Sequence, residues 1–97
     1  MNKSENWLIL YDIRDGRRLR YVEKCVSSYG WRVQFSVFES DADAASIERM
    51  KRRLNFIINK EEDSILIIKL CSEDWKKREI YGVPLQVNYV SGNYAIL

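Results

Sequence analysis

The 97-residue chain contains no histidine, and that single absence removes several chemistries. Without an imidazole there is no Ser-His-Asp triad, no Cys-His pair and no histidine-rich metal centre. Cysteine is nearly as scarce. Cys25 falls in a helical pattern and Cys71 lies just after a strand, with no histidine to join them, so reduced structural thiols are expected rather than a disulfide or zinc site. No apolar run has membrane-spanning length, and the opening "MNKSENW" lacks the apolar core of a signal peptide. The expectation is a cytoplasmic protein with no membrane association. Excess charge is also missing: sixteen basic against fourteen acidic side chains leave +2, too little for a polycation, so any nucleic-acid affinity must come from local clustering. Repeats, low-complexity stretches and linkers are absent. Carboxylates, hydroxyls and hard cations remain as chemical tools.

What is present is a clean switching of apolar period. Residues 7 to 13, "WLILYDI", form a continuous apolar strand; residues 32 to 39, "RVQFSVFE", alternate; residues 64 to 70, "SILIIKL", are continuous again. Between the first two, Leu19, Val22, Val26 and Tyr29 recur at helical spacing, with Asp15 placed to cap the helix and Gly30 to end it. Ile47, Met50, Leu54 and Ile57 repeat the pattern, with Ser40, Asp41 or Asp43 as cap. Beyond "SEDWKKR" come strand candidates at residues 79 to 81 and 85 to 90, interrupted by "GVP".

The order β-α-β-α-β-β suits a single ferredoxin-like α/β sandwich over residues 1 to 97, an antiparallel sheet with both helices on one face. A doubly wound parallel sheet would need helices on both faces, and two are too few. Yet Trp7, Ile9 and Tyr11 are as apolar as Leu8 and Leu10, and Ile65 and Ile67 match Leu66 and Ile68. Something must cover the second face. A second copy of the same sheet, packed across a two-fold axis, is the economical candidate, so a sheet-to-sheet homodimer is expected.

Asp12 ends the first strand and opens the charged run "DIRDGRR". It reads either as a carboxylate capping the following turn or as a metal ligand. A two-fold axis near the end of the central strands would face two copies of Asp12, and two carboxylates with waters make an octahedral Mg²⁺ site, able to hydrolyse a phosphodiester without histidine. Arg17, Arg18 and Arg20 sit at the same edge, where a phosphate backbone would meet them twice in a dimer. Arg49, Lys51, Arg52 and Arg53 surround the second helix's apolar stripe, the pattern of an ordinary solvated face. No element reads base edges, so contact with nucleic acid would be sequence-independent. Trp7, Tyr11, Phe35 and Phe38 lie in strands and read as packing residues, while Trp31 and Trp75 fall outside the strand cores.

In "YDI" at 11 to 13, the basic helix "RRLRYVEKCVSSYG", "RVQFSVFE" at 32 to 39 and the later "EEDSILIIKLC", the chain resembles the CRISPR-associated Cas-two family over roughly residues 7 to 71, in order and in spacing. The resemblance implies a ferredoxin-like homodimer that bridges two dimers of the Cas-one integrase during spacer acquisition. It also implies metal-dependent endonuclease activity on single-stranded RNA or duplex DNA. Asp12 matches the family's metal-binding aspartate; Tyr11, Arg32, Ser36 and Phe38 match positions linked to its site. The alternative function is a stand-alone, toxin-type endoribonuclease of the same fold. Residues 85 to 97, "LQVNYVSGNYAIL", read as a last strand and an apolar tail that docks on a sheet edge or on the integrase.

Overall fold

The structure, a computed structural model, describes residues 5–79 and 81. The strand expected at 85 to 90, the "GVP" break, the tail at 94 to 97 and most of the N-terminal "MNKSENW" lie outside the described residues. Among those described, Glu79 and Tyr81 are not in a strand.

Four strands and two long helices follow in the order β1 (Asn6–Asp12), α1 (Gly16–Ser27), β2 (Trp31–Gln34), β3 (Val37–Ser40), α2 (Ala44–Ile57) and β4 (Ser64–Leu70), with a short α3 (Ser72–Lys76) behind them. The sheet order is β2-β3-β1-β4, antiparallel throughout. This is the ferredoxin-like split βαβ arrangement. One expectation changes: the alternating run at 32 to 39 is not a single strand but parts of both arms of the β2–β3 hairpin, with Gln34 opposite Val37 and the turn at Phe35 and Ser36. Strand β3 thereby takes the central place beside β1, and the ferredoxin-like sheet is complete without the later strand candidates.

Local chemistry fixes the helix starts. The Asp15 carboxylate accepts the Arg18 N–H at 2.9 Å and caps α1; the Asp43 carboxylate accepts the Ser46 N–H at 2.8 Å and caps α2. Both carboxyls are held below their usual pKa by these backbone donors. Gly30 does not end α1 through a left-handed turn. It lies so close to β3 that a Cβ there would stand 1.9 Å from the Glu39 carbonyl oxygen.

The two sheet faces differ by strand parity. Trp7, Ile9, Tyr11 and Phe38 pack beneath the helices against Val22, Val26, Ile47 and Met50. The opposite parity places Leu8, Leu10, Asp12, Val37, Ser64, Leu66 and Ile68 on the other face, where Leu66 is 56% exposed. Part of that face is covered by the chain itself. Trp75 of α3 meets Trp31 edge-on at 6.5 Å, Trp31 donates to the Glu39 carboxylate at 3.1 Å, and Arg78 bonds Glu39 at 2.9 Å while stacking 3.8 Å above the Trp75 ring. The two tryptophans left unassigned by sequence therefore close one corner together. No described helix is long and apolar enough to cross a membrane.

Candidate functional site

Asp12 is the last residue of β1 and pairs across the ladder with Ser64, the first residue of β4. Parity turns it toward the open face, at the mouth of a shallow groove lined by Leu10, Tyr11, Asp12, Ser64, Ile65 and Leu66. Its side chain is 63% exposed and lies 3.5 Å from the Arg14 guanidinium, itself 67% exposed. An ion pair this open adds little stability, so the carboxylate stays available. Capping belongs to Asp15, three residues on.

Directly behind Asp12, on the helix side, Tyr11, Arg32 and Phe38 meet through a residue that sequence reasoning did not single out. The Tyr11 hydroxyl donates to Glu23 of α1 at 2.9 Å, and the Arg32 guanidinium stands 3.2 Å from the same carboxylate oxygen. Arg32 also lies 5.0 Å over the Phe38 ring, whose centroid is 6.2 Å from that of Tyr11. Burial, and then the Glu23 hydrogen bond, push the Tyr11 phenol well above its ordinary pKa, so it stays a proton donor to Glu23. Ser36 joins the group through its backbone: it adopts φ 61, and its carbonyl accepts the Tyr11 N–H at 3.1 Å. A left-handed serine is uncommon. Here it closes the hairpin turn and ties its tip to the end of β1.

The basic residues separate into two kinds. Arg17 and Arg20 are exposed and have no carboxylate within ion-pair distance among the described residues. Arg18 is engaged inside the chain, 2.7 Å from Asp63 and 2.9 Å from Glu62. Asp63 is fully buried at its side chain and also accepts the Arg14 and Asn59 N–H groups at 2.9 Å each. That set of donors, Arg18 first, holds its carboxyl well below the usual range. Asp63 and Glu23 were illegible as site-shaping residues, because their partners lie far away in sequence. The only local signal for Asp63 was its place in "EED" just before β4.

A divalent cation needs several hard oxygen ligands. Among the described residues no cluster of three or more acids or cysteines converges. One chain offers the Asp12 carboxylate, with the Ser64 residue opposite; a second copy of Asp12 would be required to build the magnesium site.

A family model described as CRISPR associated protein Cas2 matches residues 5–78. The CRISPR-associated endoribonuclease Cas2 4 of Rhodospirillum rubrum is 40% identical over 80 residues, which are 82% of this chain and 64% of that protein. The CRISPR-associated endonuclease Cas2 of Halalkalibacterium halodurans is 40% identical over 86 residues, 84% of this chain and 90% of the relative. This chain thus spans just under two thirds of the first relative's length and most of the second's. Among solved structures, Streptococcus pyogenes Cas2 superposes with a TM-score of 0.66 at 36% identity, covering 74% of this chain and 92% of that one. A hypothetical protein from Thermus thermophilus gives 0.77 at 29% identity, covering 86% and 96%.

Proposed function

This chain belongs to the family of CRISPR associated protein Cas2, and we propose that it is a homodimeric nucleic-acid-binding protein of CRISPR adaptation with metal-dependent endonuclease capability. The observation that carries the reading is the placement of Asp12. It is an exposed carboxylate at the end of a central strand, on the apolar sheet face that a second copy would cover. Its relatives' names as endoribonuclease and endonuclease support the reaction class. In the dimer, Asp12 from each copy would hold Mg²⁺, and the ion supplies Lewis-acid activation of a phosphodiester.

The chain's own residues do the rest. Arg17 and Arg20, flanking the same strand end, hold backbone phosphates without reading sequence. Arg18 and Arg32 act from within, Arg18 by fixing the loop before β4 through Asp63, Arg32 by holding Glu23 and so Tyr11. Ser36 and Phe38 brace the end of β1 against the hairpin. Bridging of two Cas-one integrase dimers is the expected cellular setting.

Asp12→Asn tests the assignment. It keeps fold and dimer but lowers metal-stimulated cleavage of RNA or DNA by roughly a hundredfold or more, the scale of losing one preorganised charged group. Asp15→Asn changes cleavage little, because asparagine caps a helix about as well as aspartate. Equal loss in both variants contradicts the separation of roles.

A further inference from the structure

The helix layer, on the far side of the sheet from Asp12, carries a second basic surface. On α2 the apolar positions Ile47, Met50 and Leu54 face the core. One step round the helix, Arg49, Arg52, Arg53 and Phe56 repeat the i, i+3, i+4, i+7 spacing on the outside. Phe56 is 90% exposed, so nothing among the described residues accounts for an aromatic ring there. With Tyr29, these four side chains line one open cavity. A second cavity runs on from it toward α1, lined by Tyr21, Lys24, Cys25, Ser28, Arg53 and Ile57. Arg53 belongs to both. The two form one groove between antiparallel helices, floored by the buried Cys25 and the partly buried Ile57 and edged by cations.

Among the described residues the charge in this groove is only partly offset, by Asp43 near Arg49 and Glu48 near Arg52. Arg49 donates its hydrogen bond to the Ser46 hydroxyl, at 2.8 Å, rather than to a carboxylate. Lys51 turns away to Glu48 at 2.8 Å, the acid that also lies near Arg52. Among the described residues, Lys24, Arg52 and Arg53 have no carboxylate within ion-pair distance. Adjacent guanidinium groups with so little acid beside them repel one another unless a polyanion lies between them. A bare phenylalanine beside them matches the platform on which an unpaired base stacks. A duplex has no free base face to offer, so the combination favours a single strand.

We propose that the α1–α2 groove is a contact surface for single-stranded nucleic acid, with the phosphate backbone on Arg49, Arg52, Arg53 and Lys24 and an unpaired base stacked on Phe56. The surface is separate from the Asp12 strand end, and it rests on the proposed function only for its class of ligand. In a sheet-to-sheet dimer the two grooves lie on opposite outer faces, where they remain open while the sheets are packed.

The test is fluorescence anisotropy of the full chain with a labelled single-stranded oligodeoxynucleotide, and with its duplex, over a series of salt concentrations. The Arg52→Gln/Arg53→Gln double variant should bind the single strand more weakly, and its salt slope should fall by about 1.4, since each single-strand phosphate contact contributes about 0.7. Phe56→Ala should weaken single-strand binding roughly tenfold and leave duplex binding nearly unchanged. All three residues are exposed, so thermal melts should match the parent. An unchanged salt slope in the double variant overturns the proposal and leaves the strand-end reading standing. If polyglutamate competes as well as the oligonucleotide and Phe56→Ala has no effect, the groove takes an acidic protein segment, and the proposal is wrong. If the unaltered protein binds no oligonucleotide, the nucleic-acid function falls with it.

Discussion

Asp12 and Asp63 are two strand-end aspartates with opposite fates, set by what surrounds them. Asp12 faces open solvent beside one arginine; Asp63 is sealed beneath Arg18 and two backbone N–H groups, its folded pKa depressed. The sign of the linkage follows. A depressed carboxyl contributes stability that is fully present above its unfolded pKa near 3.8 and is lost as pH falls below that value. Acid should therefore destabilise the protein from about pH 4 downward, and Asp63→Asn should lower the melting temperature near neutrality while flattening this dependence. Thermal melts across that range check it; a variant as acid-sensitive as the parent contradicts it. Asp12 was legible in the sequence because it follows an unbroken apolar run. Asp63 was not, since its importance comes from Arg18, distant in sequence, and no local pattern encodes that meeting.

At the scale of elements, β1, β4, α1 and α2 were readable because each carries its period over seven or more residues. The hairpin was hidden because its turn, Phe35 and Ser36, has none of the glycine, asparagine or proline that marks such turns. Ser36 adopts the left-handed conformation anyway, held by its bond from Tyr11, and the alternation on either side reads straight through. Gly30 shows the reverse case, a residue rightly singled out for the wrong reason. Its lack of a Cβ serves the approach of the α1 end to β3. Gly30→Ala should accordingly cost about 3 kcal/mol, in the range of overpacked interiors, and lower Tm by about ten degrees or more for a domain of this size. A calorimetric scan within two or three degrees or so of the parent would show that the two backbones can part cheaply.

For the molecule as a whole, the doubled apolar pattern of β1 and β4 has two answers. Segment α3 covers the Trp31–Glu39 corner with Trp75, which the sequence did not disclose because Trp31 and Trp75 are far apart along the chain. Leu66 and its neighbours toward Asp12 stay open, and a second copy is the proposed cover. Burying the exposed half of Leu66 contributes roughly 1 kcal/mol per copy, so Leu66→Asp should weaken the dimer by more than about 30-fold in sedimentation equilibrium. The most direct measurement of the central claim counts ions. Manganese, which suits the same carboxylate and water ligands as magnesium, can be titrated into the protein and followed by electron paramagnetic resonance. Two facing Asp12 carboxylates should hold one bound ion per two chains, lost in Asp12→Asn; one ion per chain, or binding that survives the substitution, would rule out the shared site.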